Sequence, residues 1–239
     1  MNKILVWDIP ARLLHWAFAA SLSAALVIGF LVDDEQPLFQ LHMLFGLVAL
    51  FLVAVRLVLG VVGSRYSRFS SFPVRGGEVF GYLVSAVVAK TRRYAGNNPG
   101  SALAAVLMFL LVPALFISGV GFNGKPLKDL HEALAWGLAV VIGLHLLGLA
   151  WHTWRHRENI ALSMITGRKE GEPADAIRSS HPVWGAILLL GAGLWIGALF
   201  ARHDAVQGSV VLPGLGVTVR LGEIESPGDG NRRDRRHRD

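Results

Sequence analysis

The chain has 239 residues, 53% of them hydrophobic and only 17% charged, with a mean hydropathy of +0.48 and a formal net charge of +6. That balance excludes an ordinary soluble domain, in which about 25% of residues are charged. The absence of cysteine excludes thiolate-ligated haem, cysteine-held iron–sulfur clusters and covalent haem attachment through a C-x-x-C-H motif.

Apolar residues come in blocks. Stretches of about 20 residues, enough to cross roughly 30 Å of hydrocarbon, fall near 13–32, 41–62, 101–122, 132–152 and 183–201. Five spanning helices are expected, with membrane lipid as the first partner and nothing pointing to nucleic acid. The first follows Lys3 and Arg12 and carries His15 and Trp16; its apolar run exceeds a signal-peptide core, so it is expected to stay attached. Asp33, Asp34 and Glu35 then lead into the second, which carries His42, Gly46 and Arg56.

The connection 63–100 holds Arg65, Arg68, Arg75, Lys90, Arg92 and Arg93. Within it, Val79, Phe80, Leu83 and Val84 suit a helix over Glu78 to Lys90 lying among inner headgroups. Asn97–Asn98–Pro99–Gly100 supplies the turn into the third span. After Lys125 and Lys128 comes the fourth, with His131 and His145, and then a second basic loop with Arg155, Arg157, Arg168, Lys169 and Arg178. By the positive-inside rule the N-terminus and both basic loops are cytoplasmic and the C-terminus is outside. Residues 1–201 are read as the membrane domain and 202–239 as a polar, flexible tail, with a small hairpin in view around Val210 to Ile224.

Histidines inside a bilayer are a functional hypothesis by default, because an unpartnered ionisable group costs several kcal/mol there. Orientation sorts these by depth. His42 and His131 lie near the outer surface, His15 and His145 near the inner. His131 and His145 are fourteen residues apart, which is about 21 Å along a helix and roughly the same face. His152 shares that face seven residues further on and competes for the inner position.

Two histidines from facing helices suit an axially ligated haem, whose other ligands come from the porphyrin, better than zinc, which wants three or four converging side chains. Non-covalent b-type haem fits best. The fold class is then an all-α integral membrane protein, a four-helix haem-binding bundle with a fifth transmembrane helix. Arg56, with Arg12, is placed to hold an inner haem propionate; the alternative is an arginine snorkelling to headgroups. Lys125 and Lys128 are the outer candidates.

Val6–Trp7–Asp8–Ile9–Pro10–Ala11–Arg12–Leu13–Leu14–His15–Trp16 resembles the V-W-D-x-P-x-R-x-x-H-W opening of prokaryotic diheme cytochromes b, the family that includes the b-type cytochrome subunits of nickel–iron hydrogenases. His42 and Gly46 with Arg56 and Gly60, then Gly63–Ser64–Arg65–Tyr66 and Phe69, are similar to its second helix and exit. Leu130–His131–Glu132 with His145, and Met164–Ile165–Thr166–Gly167–Arg168–Lys169, extend the likeness to about residue 201. Relatives often read G-H-N-P where this chain has Gly96–Asn97–Asn98–Pro99.

The resemblance implies haem ligands at His15, His42, His131 and His145, favouring His145 over His152. It further implies a bacterial inner-membrane electron-transfer subunit rather than a stand-alone catalyst. Its two b-type haems would exchange electrons with quinone or quinol and with a periplasmic dehydrogenase, hydrogenase or c-type cytochrome. The competing readings are a histidine-lined transporter for metal ions or protons, and a membrane anchor without redox function. The nearly apolar stretch between His131 and His145 offers a transporter no polar relay.

Overall fold

A computed structural model describes residues 2–88, 93–120 and 125–221. Its helices are α1 (Ile9–Leu31), α2 (Gln40–Val62), α3 (Gly76–Val88), α4 (Pro99–Val120), α5 (Lys125–His156), α6 (Ser163–Thr166) and α7 (Pro182–Ala201). Among the described residues five of them, all but α3 and α6, are long and apolar enough to cross a membrane. Local chemistry sets their starts. The Asp8 carboxylate accepts from the Ala11 N–H at 2.8 Å, with Pro10 in the first turn of α1, and Asn98 Oδ1 accepts from the Ser101 N–H at 2.8 Å where Pro99 opens α4.

Short connections make α1 with α2, and α4 with α5, into antiparallel hairpins; α2 packs on α4, and α7 on α1. At mid-depth, Leu22, Ala49, Val53, Val112 and Leu138 form one buried layer. Leu138 is fully enclosed, midway between His131 and His145. Lipid is as apolar as leucine, so Leu138→Ala is expected to cost only the cavity part of a core truncation, about 1–2 kcal/mol. Unfolding of the purified protein in mild detergent checks this.

One end of the bundle, here called proximal, holds the N-terminus. There β1 (Asn2–Leu5) pairs antiparallel with β2 (Arg168–Gly171), Leu5 opposite Arg168. The buried Trp7 Nε1–H donates to Ser163 Oγ at 3.1 Å, and Trp16 Nε1–H donates to the Met164 carbonyl at 3.0 Å. Lys169 on β2 donates to the carbonyls of Tyr94 and Gly96 at 2.7 and 3.2 Å. Burial pushes its ammonium down to about 8, against the opposing pull of Glu158. Between about 8 and the ordinary lysine value the unfolded chain therefore holds a proton that the folded chain lacks, and stability contributed by this group rises with pH. Against Lys169→Met, the wild-type melting temperature is expected to gain ground from pH 7.5 to 9.5.

At the distal end the chain departs from expectation. Residues 203–221 are not a loose polar tail: β3 (His203–Asp204), β4 (Ser209–Val211) and β5 (Thr218–Arg220) form an antiparallel sheet in the order β3-β4-β5. Val210, Val219 and Leu221 join a core cluster with Leu44, Leu47 and Val48 of α2 and Leu199 of α7. The alternation of apolar and polar residues in these short strands supplies the buried face that binds them to the helices. The arginine-rich remainder, 222–239, lies outside the described residues.

Candidate functional site

The distal pair is built by the two helix hairpins in the same way. His42, in the first turn of α2, brings Nδ1 to 2.7 Å from the Ala25 carbonyl of α1. His131, near the start of α5, brings Nδ1 to 3.0 Å from the Leu115 carbonyl of α4 and 3.2 Å from Ser118 Oγ. A carbonyl only accepts, so both rings carry their proton on Nδ1, leaving Nε2 with a lone pair for a metal. The two ring centres lie 6.0 Å apart, inclined at 73°, and Phe39 stacks on His42 at 5.0 Å.

Glycine makes room for each ring. A Cβ on Gly29 would meet His42 Cε1 and Nδ1 at 2.8 Å; on Gly119 it would meet His131 Cε1 at 3.1 Å and Nδ1 at 3.2 Å. Each glycine stands four residues after the carbonyl that holds the imidazole, so in a helix its own N–H shares that carbonyl. Without a side chain there, the ring reaches the backbone. These positions were not singled out in the sequence, where they look like ordinary helix-packing glycines, and no signal in the sequence alone marks the carbonyl that faces each histidine.

The proximal pair is less enclosed by partners. His15 and His145 lie within electrostatic reach of each other, and His15 Nδ1 is buried with no hydrogen-bond partner among the described residues. Two buried donors also lack a partner among the described residues: Arg12 Nε and one terminal nitrogen of Arg56. The Arg56 guanidinium sits among the rings of Phe69, Phe72 and Phe109, with its carbon 5.4–5.7 Å from their centres. Asp8 is within its electrostatic reach without forming an ion pair among the described residues.

His152 goes elsewhere. It stacks on His156 at 4.4 Å and lines a charged cleft with Arg93, Glu158, Lys169 and Glu170. Lys128 is exposed and pairs with Asp34 at 2.6 Å, while the side chain of Lys125 lies outside the described residues.

A family model described as prokaryotic cytochrome b561 matches residues 6–167, a segment containing both histidine pairs, Arg12 and Arg56. The chain belongs to this family. The Probable Ni/Fe-hydrogenase B-type cytochrome subunit of Bradyrhizobium diazoefficiens is 21% identical over 212 residues, spanning 70% of this chain and 86% of the relative. The protein of the same description from Rhizobium leguminosarum bv. viciae is 22% identical over 215 residues, spanning 70% and 89%. No solved structure matches.

This cytochrome b561 family member is a multi-pass membrane protein of transmembrane electron transfer, and haem b is its cofactor. The residues present fit the group. Imidazole nitrogens bind first-row metals at about 2 Å, so two rings sharing one metal have centres roughly 6 Å apart, which is the His42–His131 separation of 6.0 Å. A Cβ on Gly46, one turn below His42, would meet nothing within 4 Å, so that face is open. The buried guanidinium nitrogens of Arg12 and Arg56 that lack a partner among the described residues suit an acceptor with negative charge. Among the described residues no three histidine or acidic side chains converge on a point, as a bare ion would require.

Proposed function

We propose that this cytochrome b561 family member binds two haem b groups by bis-histidine ligation, His42 with His131 at the distal level and His15 with His145 at the proximal level. The observation that carries the reading is the distal pair, with both Nδ1 atoms engaged by backbone carbonyls and the ring centres 6.0 Å apart. When bound, haem b alternates between ferric and ferrous iron and so passes one electron at a time.

The chain's own residues hold, tune and insulate. Carbonyls of Ala25 and Leu115 orient the distal imidazoles and raise their basicity as ligands. Arg12 and Arg56 offer cationic donors to the propionates of the proximal group, which fits their unpaired nitrogens better than snorkelling to headgroups does. The layer around Leu138 keeps water and protons out of the middle of the route. A metal-ion or proton transporter would need polar groups in that layer.

The proposed orientation has the proximal end in the cytoplasm and the distal end in the periplasm of a bacterial inner membrane; the two basic loops support it by the positive-inside rule. The curated relatives are described as hydrogenase B-type cytochrome subunits, which supports a periplasmic hydrogenase, or a similar dehydrogenase or c-type cytochrome, as redox partner, with membrane quinone as the other exchange partner. The test is a reduced-minus-oxidised spectrum with a haem count. Two haems per chain are expected, one after His145→Ala and two after His152→Ala; the reverse outcome would reassign the proximal ligand.

A further inference from the structure

The match to the family model ends at residue 167, and α7 with the β3–β5 sheet follows it. This part packs behind the helix that carries His42. On a helix turning about 100° per residue, Gln40, Leu44, Leu47, Val48 and Phe51 all fall within roughly 60° of the side opposite His42. Each of these meets the C-terminal part. Leu44, Leu47 and Val48 are buried with Val210, Val219 and Leu221, and Phe51 stacks on Trp195 of α7 at 4.0 Å and 7°. Trp195 Nε1–H in turn donates to the Pro213 carbonyl of the β4–β5 turn at 3.2 Å.

The closest tie is at the mouth of the distal site. The Gln40 amide N–H donates to the Ala205 carbonyl at 3.2 Å, which fixes its oxygen as the acceptor of the His203 Nε2–H at 2.7 Å. Gln40 is the first residue of α2, two before His42. The helix start is thus gripped on its back by two hydrogen bonds and an apolar layer, while its front holds the imidazole against Ala25.

We infer that the C-terminal module, residues 203–221 with Trp195, is a buttress that fixes the rotation of α2 and thereby positions His42 at the distal haem, with Gln40 and His203 as positioning residues. The inference rests on the reading of His42 as a ligand. Rotation about the α2 axis is the motion to which His42 is most sensitive, since its ring stands off the axis and its partner ring is on another hairpin. The module's polar ties and most of its apolar partners among the described residues are on α2 and α7, so its loss is expected to act first on the ligand that α2 carries.

The experiment is an optical redox titration and haem count of the full-length protein in detergent, with His42→Ala identifying the signal of the proximal haem alone. Gln40→Ala and His203→Ala are expected to shift or broaden the distal step and to loosen the distal haem, leaving the proximal step in place. His203→Gln, which keeps a donor, is expected to return the distal step towards wild type. Val210→Asp, which puts a charge in the module's core, gives the stronger form: haem content falls towards half, with the proximal step retained. Distal steps unmoved in both Gln40→Ala and Val210→Asp, or both steps moving together, would overturn the buttress. A wild-type protein from which His42→Ala removes no haem would instead overturn the ligand reading, and the buttress with it.

Discussion

Replacing His42 by alanine is expected to remove the distal haem and leave the proximal one, so that haem content falls from about two per chain to about one. On the proposed bis-histidine ligation the iron would lose one of its two protein bonds, and outer partners of a metal ligand already cost 10–100-fold in affinity when removed; loss of the ligand itself costs more. The surviving ring, His131, keeps its bonds to Leu115 and Ser118 on the other hairpin, so the helices need not rearrange. Pyridine haemochrome quantification against protein concentration measures the change. A content unaltered within error would remove His42 from the site.

A nearly equal effect is expected from a residue with no functional group. Gly29→Val puts a branched side chain where a single Cβ already lies 2.8 Å from two atoms of the His42 ring. The ring has Phe39 stacked on it, so it yields by leaving the Ala25 carbonyl. Both the Nδ1 hydrogen bond and the ligand position are then lost together. Gly119→Ala is the milder counterpart, since its Cβ clears His131 by 3.1 Å and a few tenths of an ångström suffice. The expected order of haem loss is Gly29→Val, Gly29→Ala, Gly119→Ala, with the distal spectrum affected in each and the proximal one spared.

The five spans were legible because a membrane helix writes itself as an unbroken apolar run, and the structure places them close to the expected limits. A helix is present over the described part of the segment expected at 78–90, as α3 (Gly76–Val88), while its expected basic end at Lys90 and Arg92 lies outside the described residues. Pairing of histidines by depth needed only helical rise and alternating direction, and the distal rings do meet. His152 was a competitor on periodicity alone; in the structure it lines a cleft with Glu158, just beyond α5, and with Lys169 and Glu170 of β2.

The β1–β2 pair and the C-terminal sheet were harder. Asn2 and Gly171 are far apart in the chain; at the C-terminal end the β4–β5 hairpin lies where one was expected around Val210 to Ile224, and what was missed is its third strand and its packing on α2. The residues 202–221 looked polar because their charged positions, such as Arg202, Asp204 and Arg220, face outward, while Val210, Val219 and Leu221 turn inward. Gly29 and Gly119 were invisible for a related reason. Their role exists only once α1 is known to flank α2, and α4 to flank α5.

The distal imidazoles lean on peptide carbonyls, not on carboxylates or hydroxyls alone. A main-chain oxygen has no side-chain identity, so no substitution at Ala25 or Leu115 that keeps the helix deletes the acceptor. If these rings ligate the haem iron as proposed, the basicity that the carbonyls lend them is thereby insulated from drift at the very positions that supply it. The carbonyl part of that setting passes through any sequence that preserves two helices and two missing side chains, while Ser118 Oγ adds a side-chain contribution at His131 that substitution can remove.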